Sequence, residues 1–186
     1  GGLICRRAAH DGRMPFERMV LASPLIGLGA KRPSQPVTYA ATALVTAIGL
    51  GEMNLPRGRA GTIETTDFED NPFTSDAGRF DRTLAIFKAF PDLAIGVATF
   101  GWLYAACRAM AAASEPEFAP GVHVPTLAVA GMRDRITSVT ATEALVGELR
   151  AGGLTILPGA RHEIMMERDG LREQFWAAFD AFVPGS

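Results

Sequence analysis

The rhythm of apolar positions changes several times along this chain, and each change predicts an element. Between Gly2 and about Asp11, Leu3, Ile4 and Ala8 recur at helical spacing, with Arg6 and Arg7 on the other side, and Asp11-Gly12 closes the segment as a turn. The run Arg18-Met-Val-Leu-Ala-Ser23 is short, nearly continuous in apolar residues and stopped by Pro24, which is the pattern of a strand buried on both faces. That pattern returns late in the chain. Pro125-Thr-Leu-Ala-Val-Ala130, ended by Gly131, predicts a second buried strand, and Leu154-Thr-Ile-Leu157, stopped by Pro158-Gly159, predicts a third. A helix is expected between them, over about 140–150. The last helix is expected from about Asp169, read as its N-cap. It carries Leu171, Phe175, Ala178, Phe179 and Phe182 in a stripe suited to packing on a sheet.

The stretch from about 27 to 121 has a different texture. Gly/Pro/Arg-rich loops (Gly27 to Pro36, Leu55 to Gly61) separate helical patterns near 37–50, 78–90 and 99–113, and the Asn71-Pro72 step with Asp76 marks a turn leading into the second of these. The expected organisation is therefore a core helix and strand over 1–27, an inserted helical layer over 28–121, and a C-terminal core over 122–186. Three strands alternating with helices predict an α/β fold with a parallel sheet joined by right-handed crossovers. Only about half of the chain builds that sheet, and its first strand would leave an apolar edge of the kind natural proteins avoid. The sheet is therefore expected to continue in residues that this chain does not contain. The opening Gly-Gly-Leu-Ile, without an initiator methionine or a charged leader pattern, fits a chain that begins inside a larger protein.

Composition narrows the function classes. Of the 186 residues 48% are hydrophobic and 20% charged, as in a globular protein. A formal charge of −2 gives no electrostatic footprint for nucleic acid or for an anionic membrane. Val37 to Leu50 is apolar but shorter than the roughly 20 residues that span a bilayer, so no transmembrane segment is expected. A cytoplasmic or membrane-peripheral location is the expectation, with any N-terminal address outside this chain. Cys5 and Cys107 lack CxxC spacing and read as small core hydrophobes. With no HExxH or Cys/His cluster, no metal site is expected.

Parallel sheets place reactive groups in the loops after their strands. Two such loops carry candidate chemistry: Gly131-Met-Arg-Asp134-Arg-Ile and Pro158-Gly-Ala-Arg-His162-Glu. A carboxylate beside an imidazole can accept its Nδ1 proton, fix the tautomer and stabilise the imidazolium formed when Nε2 takes a proton from a nucleophile. Taken singly, either residue also reads as structural: Asp134 could cap the next helix or pair with Arg133 or Arg135, and His162 could be a surface loop residue. Their joint position at successive strand ends favours a dyad. His10 and His123 read as surface or structural residues.

The chain contains no G-x-S-x-G. Ser23, Ser34, Ser75, Ser114, Ser138 and Ser186 all lack those flanking glycines. A Gly-Gly pair opening a helix nevertheless suits the position just after a nucleophile elbow, so a nucleophilic serine is expected two positions before Gly1. Cys5 falls inside the helix rather than on such a turn, which argues against it as a substitute.

Several stretches resemble the lysophospholipase and monoacylglycerol lipase group of α/β-hydrolases. Gly-Gly-Leu-Ile-Cys-Arg-Arg followed by Val-Leu-Ala-Ser-Pro-Leu-Ile-Gly is similar to their segment after the elbow. Asn71-Pro-Phe-Thr-Ser-Asp76, Arg79, Pro91 and Gly101-Trp102 resemble the lid of bacterial lysophospholipase L2-type proteins, and Gly-Ala-Arg-His162-Glu163-Ile-Met-Met-Glu167-Arg-Asp resembles their histidine loop. The resemblance covers nearly the whole chain. It implies an α/β-hydrolase fold with an inserted helical cap over a lipid-ester pocket, Asp134 as triad acid, His162 as base, and a nucleophile and oxyanion hole in an N-terminal half not present here. Without that half the chain alone is expected to be inactive.

The implied reaction is hydrolysis of a lysophospholipid or monoacylglycerol-type ester through an acyl-enzyme. Phe100 and Trp102, with Phe90 and Tyr104, could line an acyl pocket or form a packed helix interface, and Met165 and Met166 beside His162 could face the pocket or fill the core. Two alternatives stay open: epoxide or haloalkane hydrolysis with an Asp nucleophile, and a non-catalytic lipid-binding relative.

Overall fold

Thr126 to Gly131 are six consecutive residues, all buried, and they form the central strand of a three-stranded parallel sheet. The computed structural model describes residues 1–13, 16–29, 33–56 and 66–185. Within them the strands are β1 (Met19–Ala22), β2 (Thr126–Gly131) and β3 (Gly152–Leu157), in the order β1-β2-β3. Met19 is in register with Thr126, Thr126 with Gly152, and Gly131 with Leu157.

Side chains alternate across the strands and so supply two cores. On one face Leu127, Val129 and Leu157 pack with Ala160, Ile164, Leu171 and Phe175, joined by Val20. On the other, Met19 and Leu21 pack with Ala9, Ala113, Phe118 and Val122, against which Leu3 and Cys5 also lie. The first core is closed by α7 (Asp169–Phe182) and the second by α1 (Gly2–His10) and α5 (Phe118–Gly121). Arg6 on α1 is buried, where its guanidinium donates to the carbonyl of Ala113 at 3.0 Å and stacks over Phe118; burial lowers its pKa to about 10.

The helical layer between β1 and β2 contains α2 (Gln35–Val45), α3 (Ala77–Ala89) and α4 (Phe100–Ala112). Two have side-chain caps: Asp76 accepts from Arg79 N at 2.9 Å, and Thr99 accepts from Trp102 N at 3.1 Å. Leu103, Cys107 and Met110 of α4 form a core with Tyr39, Leu25, Leu28 and Leu55 around it. α6 (Val139–Glu148), capped by Ser138, connects β2 to β3. No helix among the described residues is long and apolar enough to cross a membrane.

Three sequence expectations are corrected. The pattern near 37–50 is not one straight helix: α2 passes into a wide turn over Thr46–Leu50, bent at Gly49, whose φ of +84° favours glycine. β3 starts two residues before Leu154, at Gly152, because those glycines carry backbone pairing without any side-chain pattern. Asp169 is not the N-cap of α7. Arg168 takes that place, and the Asp169 carboxylate is drawn to Arg79 instead, at 2.5 Å. Parts of the two expected Gly/Pro/Arg-rich loops, at 30–32 and 57–61, lie outside the described residues.

Candidate active site

The acid and histidine loops are extensions of paired strands. Beyond the β2–β3 ladder, Met132 N donates to Leu157 O at 3.1 Å and Arg133 N to Ala160 O at 2.9 Å, so the two loops leave the sheet side by side. Gly131 permits this approach: a Cβ there would press on the carbonyl oxygens of Arg161 and Ala160, the latter at 2.6 Å. On its other flank the acid loop meets the segment after β1. Gly29 N donates to Ile136 O, and Ser138 N to Gly27 O, each at 3.0 Å.

Between these supports the chain turns at Asp134, whose side chain is 1% exposed. Its Oδ1 accepts from Ile136 N at 2.7 Å and Thr137 N at 3.1 Å, an Asx-type turn in which the carboxylate replaces a backbone acceptor. Its Oδ2 accepts from Thr137 Oγ1 at 2.6 Å and from His162 Nδ1 at 2.8 Å. Burial alone would raise the Asp134 pKa. The hydrogen bond and charge of His162, with the bonds from Thr137, outweigh it and hold the carboxyl below its ordinary value.

An ionised carboxylate only accepts, so in the neutral imidazole the proton belongs on Nδ1. That leaves Nε2 with a lone pair to take a proton. His162 is 20% exposed, open enough to meet a reactant. Two of the structural alternatives for Asp134 are met by other residues: Ser138 caps α6 with Oγ accepting from Ala141 N at 3.1 Å, and Arg135 donates to Asp70 O at 2.7 Å.

The histidine loop is fastened to the turn preceding α3. His162 N donates to Pro72 O at 3.3 Å and Glu163 N to Phe73 O at 2.8 Å. Arg161 Nη1 donates to Asn71 O and Thr74 O, both at 2.8 Å. Below, Ala160 and Ile164 sink into the core under α7. Backbone and side chains thus hold the imidazole from both sides.

Known proteins share this fold. The family profile described as Serine aminopeptidase, S33 (Hydrolase_4) matches residues 1–169. The chain belongs to that family of α/β-hydrolases. It is 23% identical over 183 residues to a probable lysophospholipase L2 of Haemophilus influenzae, covering 98% of this chain and 56% of that protein. A monoacylglycerol lipase of Paleococcus ferrophilus superposes with a TM-score of 0.74 at 21% identity, over 98% of this chain and 64% of the other. A soluble variant of monoglyceride lipase from Saccharomyces cerevisiae, in complex with a substrate analog, gives 0.71 at 18% identity, over 98% and 61%. The α/β-hydrolase fold expected from the sequence is therefore shown, and the chain spans 56% of the length of its curated relative.

The other sequence candidates in this α/β-hydrolase have defined places. Phe100 and Trp102 are on the first turn of α4, Phe100 partly buried and Trp102 56% exposed, while Tyr104 stacks on Tyr39 at 5.5 Å. Met165 packs against the core under α7. His10 stacks on Phe118 at 4.3 Å, with Nδ1 3.0 Å from Asp11, in keeping with a structural role. Ser75 donates to Glu167, and Ser114 to Met110 O at 2.8 Å. Thr137 does not stand out in the sequence, although an Asp-x-x-Thr spacing is compatible with the Asx turn it completes. Arg161, Glu167 and Asn71–Asp76 are visible there only as marks of family resemblance, without the contacts that bring them together.

Proposed function

We propose that this protein is a serine carboxylic-ester hydrolase acting on lysophospholipid or monoacylglycerol-type esters through an acyl-enzyme. The observation carrying the proposal is the 2.8 Å bond from His162 Nδ1 to a buried, fully engaged Asp134. Such a pair is suited to remove the proton of a serine hydroxyl through Nε2 as that oxygen attacks the ester carbonyl, and then to deliver it to the departing alcohol. In the second half-reaction His162 takes a proton from water, whose oxygen attacks the acyl-serine, and then returns it to the serine oxygen as the fatty acid is released.

The nucleophile is placed two residues before Gly1, on a strand-to-helix elbow feeding α1. Gly2 supports this placement, because a Cβ on it would stand 3.1 Å from Pro24 Cβ, the close helix-to-strand approach an elbow requires. The backbone N–H following that serine would supply one oxyanion donor and an early loop the other. Residues 28–121 are the cap over the pocket, with Phe100 and Trp102 toward the acyl chain. The lipid esters are suggested by the names of the relatives. The mechanism needs no metal or organic cofactor.

The test is fatty-acid release from lysophosphatidylcholine and from monooleoylglycerol micelles by the longest natural form of the protein, compared with His162→Ala. Release that disappears in the variant is expected. Release that survives the substitution would contradict the reading.

A further inference from the structure

Glu167, five residues beyond His162, is fully buried. A carboxylate is retained in such a place only when donors match its oxygens. Here Oε1 accepts from Arg161 N at 2.7 Å, while Oε2 accepts from Ser75 N at 3.1 Å and from the hydroxyl of Ser75. One donor is thus the residue immediately before His162, and two come from a turn 92 residues away in sequence. That turn is ordered in its own right: buried Asn71 accepts through Oδ1 from Phe73 N at 3.0 Å and Thr74 N at 2.9 Å.

The backbone N–H groups of 162 and 163 thus find partners outside their own loop, in Pro72 and Phe73, while that of 161 is bonded to Glu167 at the far end of the same loop. We infer that Glu167 is a positioning residue for His162, acting through Arg161 and the Asn71–Asp76 turn, an inference that rests on the hydrolase reading above. Removing its charge leaves the Arg161 N–H and two Ser75 donors to be satisfied by a poorer acceptor. The loop can then relax by a displacement of order 1 Å, enough to cost about 100-fold in turnover.

The test compares wild type, Glu167→Gln and Ser75→Ala in the longest natural form of the protein. Two readouts are used: the downfield proton NMR signal of His162 Nδ1–H bonded to Asp134, and kcat and KM on p-nitrophenyl butyrate. The wild type is expected to show the signal. Glu167→Gln is expected to lose it and to lower kcat about 100-fold with KM within about twofold. Ser75→Ala, which keeps its N–H, is expected to broaden the signal and lower kcat less. A folded Glu167→Gln protein with wild-type signal and kcat would overturn the inference. Should that variant fail to fold, an unchanged signal and kcat in Ser75→Ala overturns it. A wild type lacking the signal would instead overturn the Asp134–His162 pairing itself, a distinct failure.

Discussion

His162 Nδ1 lies 2.8 Å from Asp134 Oδ2 across 28 residues of chain, and the remaining acceptor positions of that carboxylate are held by Ile136 and Thr137. Asp134→Asn keeps the shape but presents an amide that can stabilise the wrong imidazole tautomer. In the longest natural form of the protein, kcat on monooleoylglycerol should fall about ten-thousand-fold, with KM changed little. Steady-state kinetics checks this, and a loss confined to KM would contradict it.

The same carboxyl sets a pH dependence of stability. Burial raises its pKa, but the bonds from His162 and Thr137 prevail and hold it below the ordinary 3.8. A depressed folded value means a contribution fully present above the unfolded pKa and lost as pH falls through the folded one. The difference in melting temperature between wild type and Asp134→Asn should accordingly narrow only below about pH 4. Melts from pH 7 to 3 measure it; narrowing already near neutrality would count against the assignment.

Gly131→Ala tests the close passage of the two loops. The new Cβ would push on the carbonyls of Ala160 and Arg161, which lead directly into His162. The expected effect is a destabilisation of about 1–3 kcal/mol, as for other overpacked sites, together with loss of turnover. Urea denaturation and kinetics on the same preparation report both, and an active, undiminished variant would show that the loops are not held as described.

Trp102 is 56% exposed, so Trp102→Ala should alter stability by no more than about 0.5 kcal/mol. As a residue proposed to meet the acyl chain, its loss should raise KM for long-chain esters about tenfold relative to short ones. A chain-length series of p-nitrophenyl esters checks this, and a KM change independent of length would remove Trp102 from the substrate pocket.

Elements with a strong local period were legible in the sequence. β2 reads from an unbroken apolar run because both of its faces are covered, and α7 from Leu171, Phe175 and Phe179 because one face is. Asp134 and His162 were legible because they follow such runs, where a parallel sheet presents its loops. What escaped depends on partners remote in the chain. Asp169 resembles an N-cap until Arg79, 90 residues away, claims its carboxylate. Glu167 stands in the sequence only as part of a family-like run after Ile164-Met-Met, and its partners Ser75 and Arg161 appear only in the fold. Gly152 and Gly153 belong to β3 by backbone pairing alone, which leaves no trace in hydrophobicity.

The most direct test is fluorophosphonate labelling of the longest natural form of the protein, with the adduct located by peptide mass spectrometry and His162→Ala as the control. Labelling of a serine two residues before Gly1, lost in the control, is the predicted result. A folded protein that takes no label, or takes it regardless of His162, would contradict the claim that Asp134 and His162 activate a serine.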